Sequence, residues 1–457
     1  MKRIKYLVVL FIVLIITVGC FNQNNKPEVI TTKTSISGVI KDITIDSLTV
    51  EKNEKDYTFD LEQFKDKNNL ELFIGDEINI DFNGTVYSNK DFQDEAEIND
   101  IKVEKYAPLE LDSSWELDGV FSEYYTLAYR KLLTMTTEEK IGQVLFSRVP
   151  QEKQIETVTN YHLGGYILFG RDFKGQTKEA VVETISSYQN NSNIPLIIAV
   201  DEEGGDVVRV SSNPNLRSKR FKSSQELYSA GGFDAIKEDT ISKSTLLSSL
   251  GINMNLSPLA DVSTSKDDYI YDRSFGHDAN LTSTYIKTVI DASKNGKVTF
   301  TLKHFPGYGN NADTHTGIAI DNRSLESFKT NDFLPFQAGI DEGALAILVS
   351  HNIMTSVDSN KPASLSKPVH DVLKNDLKFT GMIMTDDLEM GAIKKYTSAS
   401  PEVDALNAGN HLLIITNFES ATENIKKALE NNTLSMDTLN KASLKVLAYK
   451  YYVGLLS

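Results

Sequence analysis

The chain has 457 residues, of which 40% are hydrophobic, and a formal net charge of −16 at pH 7. This length exceeds that of one small domain, and the hydrophobic content is sufficient for a sizeable core. The acidic balance argues against a nucleic-acid partner, because nucleic-acid binding needs clustered Lys and Arg, and it fits a soluble exported protein.

Residues 1–20 have the pattern of a secretory signal. The positively charged start MKRIK and an apolar stretch over residues 6–18 lead to Gly19 and to Cys20, the only cysteine. A single transmembrane helix is the alternative, although the apolar run is near the lower length limit for spanning. In a bacterial lipoprotein such a cysteine is acylated, which leaves no thiol for a disulfide, a metal or catalysis. We therefore predict a lipid anchor at Cys20 and a location on the extracellular face of the cell membrane.

A polar segment and a β-rich segment follow the signal. Residues 21–34 are polar and suit a tether, and residues 35–107 contain short segments that alternate apolar and polar residues between turns. This alternation of apolar and polar residues predicts a small antiparallel barrel of the oligonucleotide/oligosaccharide-binding type. A spacer role is favoured over carbohydrate binding, because few aromatic residues are placed for stacking. The only tryptophan, Trp115, lies beyond this module in a connector.

From residue 121 onward the pattern changes to alternating strands and helices. Thr136 and Thr137 precede a Glu-rich turn, which indicates the start of a helix. Seven nearly continuous apolar runs follow, as expected for parallel strands covered on both faces: GGYILFG, PLIIAVD, INMNLSPLADV, VTFTLKHF, ALAILVSH, GMIMTDD and HLLIITN. The alternation predicts an α/β fold, a (β/α)8 barrel of the TIM type over residues 121–457. An open doubly wound sheet is the alternative, but no Gly-rich phosphate turn is present in the right place.

Polar residues cluster at the ends of these runs, where a barrel places its catalytic groups. They are Asp201, Lys303 with His304, His351, and Asp386 with Asp387. Carboxylates after strands often cap the next helix instead, and this accounts for about half of such residues. Because several strands of the predicted barrel end in ionisable residues on the same face, a functional role is favoured for these residues.

From about residue 132 to the C-terminus the sequence resembles glycoside hydrolase family 3, in its single-domain β-N-acetylglucosaminidase (β-N-acetylhexosaminidase) branch. The matching segments follow one another in order: MTTEEKIGQ, GGYILFGRD, VDEEGGDVVR, NLSPLADV, DRSFG, KHFPGYG, DTH, PASLS and TDDLEMGAI. One of these segments alone is a weak signal. Together, and in this order, they are highly specific.

The resemblance implies roles for the residues at the strand ends. Asp386 matches the nucleophile of a retaining reaction. The residues alone do not decide whether Asp386 or Asp387 is the nucleophile; the resemblance favours Asp386, and Asp387 is then expected to cap the next helix. The positions that match the family's sugar-binding residues are Asp201, Arg209, Arg273, Lys303 and His304. Nearby cations are also expected to keep the nucleophilic carboxylate ionised.

The loop KHFPGYGNNADTHTG supplies the second proton-transfer group that such a reaction needs. Many relatives take a glutamate from a domain after the barrel, but this chain ends at Ser457, so no such domain is expected. The single-domain branch uses an Asp-x-His dyad, and here Asp313 and His315 match it. An imidazole with a pKa near 6.5 can protonate a leaving oxygen and later deprotonate water. The glycines and asparagines of KHFPGYGNNADTHTG are typical of a mobile loop.

Four residues depart from the family pattern. Tyr308 stands where the family usually has histidine, and Asp206 replaces an arginine after the glycine pair. Glu202 replaces a glutamine, and His411 lies where an aspartate is common. These positions are expected to lie around the site, which leaves the leaving-group preference less defined than the core chemistry.

The predicted activity is retaining, exo-acting hydrolysis of terminal β-linked N-acetylglucosamine, with peptidoglycan fragments as the substrate that fits an extracellular location. No cofactor and no metal are expected, nucleic acid is excluded, the membrane is reached through the lipid anchor, and a monomer is expected. Three alternatives remain: a β-glucosidase-like enzyme of the same family, a silent sugar-binding lipoprotein, and a metal hydrolase. The last has candidate ligands in His304, Asp313, His315 and His351 but lacks HxH or HExxH spacing.

Overall fold

The structure is a computed structural model that describes residues 29–31, 34–44, 46–61, 64, 71–89, 96–109, 111–112, 115–309, 319–390, 393, 396–397 and 400–457. The described residues form two compact units. The first contains those up to Asp112 together with Tyr129–Thr134, and the second contains those of Ser113–Ala128 and Met135–Ser457. Each unit has its own hydrophobic core.

The first unit is built on an antiparallel sheet. Its strands are β1 (Val29–Thr31), β2 (Thr34–Ile43), β3 (Ser47–Lys52), β4 (Lys55–Asp60), β5 (Glu77–Tyr87) and β6 (Ala96–Lys105). The long strand β5 pairs with β1, β2 and β6, and the order continues from β2 to β3 and β4. Buried and exposed residues alternate along β5, as a sheet with one covered face requires. This confirms the predicted all-β N-terminal module.

A buried ion pair stabilises the first unit. The Arg130 guanidinium, on the helix after the connector, binds the Asp76 carboxylate, and both side chains are almost fully buried. The guanidinium also lies over the rings of Phe73 and Tyr106, with its carbon 4.2 and 4.7 Å from their centroids. The domain boundaries given from the sequence stay predictions, and β1 lies within the segment assigned there to the tether.

The second unit is a barrel of eight parallel strands among the described residues. They are β7 (Leu145–Arg148), β8 (Gly165–Leu168), β9 (Ile197–Val200), β10 (Met254–Asn255), β11 (Thr299–Phe305), β13 (Ala346–Val349), β15 (Met382–Thr385) and β16 (Leu413–Ile415). They pair in chain order, and β16 also pairs with β7, with Leu413 opposite Leu145. A single parallel bridge between Met384 and Leu412 links β15 to the last strand. The predicted (β/α)8 fold is confirmed.

Two short strands, β12 (Ile320–Asp321) and β14 (Ile353–Met354), pair outside the barrel. The helices are α1 (Tyr125–Thr134), α2 (Thr137–Gln143), α3 (Gln154–Tyr161), α4 (Gly170–Phe173), α5 (Lys178–Asn190), α6 (Ser224–Ser249), α7 (Ala279–Ser293), α8 (Leu325–Thr330), α9 (Phe333–Asp341), α10 (Lys367–Asp371), α11 (Pro401–Ala408), α12 (Phe418–Glu430) and α13 (Met436–Tyr452). Helix α6 is kinked at Gly231 and Gly232, whose backbone angles are not helical. None of the helices in the described part of the chain is long and apolar enough to cross a membrane.

The start of α2 shows how sequence defines a local element. Thr136 caps the helix by accepting the N–H of Glu139, whose side chain in turn accepts the N–H of Thr136. The helix ends after seven residues, and the chain then enters β7. This strand was not predicted from the sequence, in which seven apolar runs were assigned instead of eight, because LFSR follows the helix with only Val144 between them.

Candidate active site

Five polar residues noted in the sequence lie at the carboxyl ends of barrel strands. Asp201 directly follows β9, and Lys303 and His304 lie near the end of β11. His351 lies just beyond β13, and Asp386 directly follows β15. Because the parallel strands of a barrel end at one face, these residues lie at the same face.

Lys303 joins two carboxylates at this face. Its Nζ donates to Asp201 Oδ1 at 2.9 Å and lies 2.7 Å from Glu203 Oε1. Arg273 donates twice to the same Glu203, from Nη2 to Oε1 at 2.7 Å and from Nε to Oε2 at 3.1 Å. Arg209 Nη2 lies 3.6 Å from Asp201 Oδ2. The structure thus brings four of the predicted sugar-binding residues together, with Glu203 between two of them.

Glu203 was not among the predicted site residues. Burial raises the pKa of its carboxyl, but the charges of Lys303 and Arg273 outweigh this effect and lower that pKa to about 2. Burial lowers the pKa of Lys303, whereas Asp201 and Glu203 raise it above its ordinary value. The Glu203 and Lys303 side chains are only 5% and 3% exposed, so each depends on the other for the stabilisation that water gives a free ion. The only sequence signal for Glu203 is its place in DEEGG, two residues after Asp201.

A second carboxylate missed in the sequence, Asp261, holds His304. Asp261 is fully buried, and its Oδ2 lies 2.8 Å from His304 Nδ1 and accepts the backbone N–H of His304 at 3.1 Å. Its Oδ1 accepts the N–H of Tyr308 at 2.9 Å. The peptide bond between Lys303 and His304 is cis. Because Asp261 engages Nδ1, the other ring nitrogen, Nε2, is the one available to a ligand.

Asp386 is partly exposed at the end of β15. Its backbone N–H donates to Val349 O at 2.9 Å, and its Oδ1 accepts the N–H of Asp387 at 2.8 Å. Burial raises the pKa of the Asp386 carboxyl, but His351, His304, the Asp387 N–H and Lys303 together lower it below its ordinary value. The carboxylate is therefore ionised at neutral pH, as a nucleophile requires.

The neighbouring Asp387 is engaged differently. Its Oδ2 forms an ion pair with Arg148 Nη2, and its Oδ1 accepts the N–H of Glu389 at 2.9 Å. Residues 388–390 form a turn directly after it, and Asp387 caps this turn through Glu389. The helix-capping role expected from the sequence stays a prediction. The two carboxylates are thereby distinguished, because among the residues that the structure describes Asp387 forms an ion pair with a cation and Asp386 does not.

His351 supports the backbone of the same turn. The ring is fully buried, with Nδ1 2.8 Å from Ser364 Oγ and Nε2 3.0 Å from the carbonyl oxygen of Asp387. Both ring nitrogens thus have protein partners. Within the ranges that the structure describes, no group of three or more His, Cys, Asp or Glu side chains is arranged to hold a metal ion.

A sequence profile described as "Glycosyl hydrolase family 3 N terminal domain" matches residues 136–449. The chain belongs to glycosyl hydrolase family 3. The matched residues include all eight barrel strands and every strand-end residue described above. The protein is a glycoside hydrolase, and the family resemblance seen in the sequence is confirmed.

This chain is similar to several proteins of known name or structure. The chain is 28% identical over 282 residues to a beta-hexosaminidase of Nitrosomonas eutropha, covering 60% of this chain and 80% of that protein. It is 28% identical over 334 residues to the beta-hexosaminidase LpqI of Mycobacterium tuberculosis, covering 69% of this chain and 83% of that protein. The structure of a glycoside hydrolase family 3 beta-N-acetylglucosaminidase from Paenibacillus sp. str. FPU-7 matches with a TM-score of 0.66 at 26% identity. That match covers 70% of this chain but only 63% of the Paenibacillus chain.

Glu202, one of the departures from the family 3 pattern, organises the segment that carries Arg209. The Glu202 side chain is fully buried, and its Oε2 accepts the N–H groups of Arg209 at 2.8 Å and Val210 at 2.7 Å. Its Oε1 accepts the N–H of Ser211 at 3.2 Å and the hydroxyl of the same serine. Asp206, another departure, is exposed at the turn of this loop. Only Glu202 of these two therefore acts on a predicted sugar-binding residue.

His411 lies elsewhere, and the expectation that it lies around the site was wrong. It precedes β16 and is at the amino end of the barrel strands, opposite the face that carries Asp386. Its Nδ1 accepts the N–H of Ile383 at 3.0 Å. Burial lowers the pKa of this imidazole well below its ordinary value, so the ring is neutral and serves barrel packing. Its position at the start of the apolar run HLLIITN already indicates the amino end of this strand.

Three predicted functional residues lie outside the described residues. Asp313 and His315 fall in residues 310–318, and Cys20 falls in residues 1–28. Their roles stay predictions, as do the assignments of Asp386 as nucleophile and of Asp201, Arg209, Arg273, Lys303 and His304 as sugar-binding residues.

Proposed function

We propose that this chain is a retaining, exo-acting β-N-acetylglucosaminidase that releases terminal β-linked N-acetylglucosamine through a covalent intermediate on Asp386. The beta-hexosaminidase names of its relatives support the substrate class. The observation that carries the proposal is Asp386 itself, an ionised carboxylate at a barrel strand end that lies close to His304 and Lys303. Its neighbour Asp387 is committed to Arg148 and is not available for the same role.

In the first step, a carboxylate oxygen of Asp386 attacks the anomeric carbon while the bond from that carbon to the bridging oxygen breaks. The bridging oxygen takes a proton from the His315 imidazolium and leaves as an alcohol. The sugar remains as an ester of Asp386. Asp313 orients the His315 ring and favours its charged form.

In the second step, neutral His315 takes a proton from a water molecule whose oxygen attacks the same carbon. The ester bond to Asp386 breaks, which restores the carboxylate, and His315 is again protonated. Two displacements at one carbon return the sugar with its original β configuration.

The charged cluster around Lys303 is suited to hold the sugar during both steps. Asp201 can accept hydrogen bonds from two sugar hydroxyls, and Arg209, Lys303 and His304 can donate to sugar oxygens. Because Lys303 already binds both Asp201 and the buried Glu203, these side chains lose little conformational freedom when the sugar enters.

The natural substrate is proposed to be peptidoglycan fragments with terminal N-acetylglucosamine linked to N-acetylmuramic acid. This part of the proposal rests on the signal pattern of residues 1–20 and on an acylated Cys20, which would hold the enzyme at the extracellular face of the membrane.

Covalent labelling tests the mechanism. A slow fluorinated N-acetylglucosaminide should add one sugar to the protein, and peptide mapping should place the adduct on Asp386 in GMIMTDDLEM. Asp386→Ala should show no adduct, and the same reagent built on glucose should label poorly. An adduct on Asp387, an inverted product by NMR, or preference for the glucose reagent would contradict the proposal.

A further inference from the structure

Tyr269 is a large side chain exposed at the sugar-binding face of the barrel. It lies in the loop between β10 and α7, and its side chain is 40% exposed. Arg273, four residues later in the same loop, reaches Glu203 in the charged cluster. The loop therefore borders the site, and Tyr269 lies on that border.

The loop holds Tyr269 in a fixed position. Its neighbour Ile270 is fully buried in a small cluster with Leu259 and Tyr308. On the other side, Asp268 accepts the hydroxyl of Ser263 at 2.7 Å. Ile270 is thus held by packing and Asp268 by a hydrogen bond. Because both neighbours are held, Tyr269 loses little conformational freedom when a ligand binds to it.

A chain of ring contacts connects Tyr269 to the sugar site. Its ring centroid is 6.1 Å from that of Tyr308, and the buried Tyr308 ring meets the His304 ring edge-on at 5.1 Å. Lys303 and Glu203 of the charged cluster are almost fully buried, whereas Tyr269 is exposed at the rim of the same face. The leaving group of a sugar held by that cluster is therefore directed outward, toward the rim on which Tyr269 lies.

We propose that Tyr269 is the aromatic platform for the aglycone, the second sugar of the substrate. One face of a pyranose ring consists of C–H groups, and such a face packs well on an exposed aromatic ring that is held rigidly from behind. This inference rests on the proposed function and extends it, because it assigns the leaving group to a saccharide ring and not to a small alcohol.

Two substrates that differ only in the leaving group test the inference on the full chain. N,N′-diacetylchitobiose has a sugar as its leaving group, whereas N-acetyl-β-glucosaminyl fluoride leaves a single atom. Tyr269→Ala should lower kcat/KM for the disaccharide roughly tenfold and change that for the fluoride by less than about twofold. Tyr269→Phe should retain the wild-type value for both, because the ring is kept.

Tyr452→Ala is the matched control, because Tyr452 is also 40% exposed but lies at the end of α13. It should leave both substrates unaffected. Equal losses on both substrates in Tyr269→Ala, or no loss on either, would overturn the inference while leaving the proposed function intact. A wild-type enzyme that cleaves neither substrate would overturn the proposed function and the inference together.

Discussion

Replacing Glu203 with glutamine should destabilise the barrel, because it removes the negative charge between Lys303 and Arg273 while keeping the side chain's shape. The pKa of Glu203 is lowered from its ordinary 4.5 to about 2. Because a tenfold change in a proton-binding constant is worth about 1.4 kcal/mol, this lowering corresponds to folding free energy on the order of 3 kcal/mol. Breaking a buried ion pair from one side typically costs a similar amount, roughly 3–5 kcal/mol. We therefore expect Glu203→Gln to lower the free energy of unfolding by about 3 kcal/mol at pH 7.

This stabilisation depends on pH in one direction. Because the pKa of Glu203 is lower in the folded protein, only the unfolded chain takes up a proton on this residue as the pH falls from 4.5 toward 2. The contribution is complete above about pH 4.5 and is lost across that window. The stability difference between the wild type and Glu203→Gln should therefore shrink as the solution is acidified from pH 4.5.

The only tryptophan provides the assay. Trp115 belongs to the barrel unit, and its indole Nε1 donates to Asp437 Oδ1 on α13 at 2.8 Å. Urea denaturation followed by its fluorescence reports on the barrel. Glu238→Gln, an exposed position on α6, is the control and should change the unfolding free energy by less than about 0.5 kcal/mol. A loss below about 1 kcal/mol for Glu203→Gln at pH 7, or a loss that is the same at pH 3, would refute the reasoning.

His315→Ala should slow hydrolysis of a disaccharide about 10²–10⁴-fold but retain more activity toward a glycoside of an acidic phenol, with a burst of phenol. Equal slowing without a burst would make His315 structural, and Asp313→Ala should show the same trend more weakly. Cys20→Ala should release the protein into the medium or leave its signal uncleaved, and unchanged lipid labelling would exclude the anchor. Burial lowers the pKa of Lys450 from 10.5 to about 7, so the unfolded chain alone keeps this proton between those values and wild-type stability rises with pH. Lys450→Met should lack that rise in urea titrations at about pH 7 and about pH 10, and an undiminished rise would contradict the assignment.

The barrel could be predicted from sequence because its strands are buried on both faces. In β9, β13 and β15 every residue is buried, which requires the unbroken apolar runs seen in the sequence. The strand β7 was missed for a local reason. It is four residues long and one residue after α2, so its apolar residues continue the pattern of the helix.

The site could be predicted only in part. The sequence shows which residues lie at the end of a strand, but it does not show which partner each side chain contacts. The strand ends indicated Asp201, Lys303 and Asp386. Glu203 and Asp261 could not be assigned, since their roles depend on contacts with residues 100 and 43 positions away, Lys303 and His304. Several carboxylates follow strands in this chain, and only the folded structure separates those that pair with cations from those that cap turns.

The closing pair of the barrel has a consequence for how the chain can fold. Leu413 on the last strand pairs with Leu145 on the first, a separation of 413 − 145 = 268 residues. Contacts between such distant residues form late, because the loop between them must be ordered first. Until β16 is in place, β7 and β15 both present unpaired backbone along apolar strands, and such edges attract other chains. A truncated chain that lacks residues 413–415 therefore has two unpaired edge strands. We expect such a chain to aggregate and not to form a smaller active enzyme.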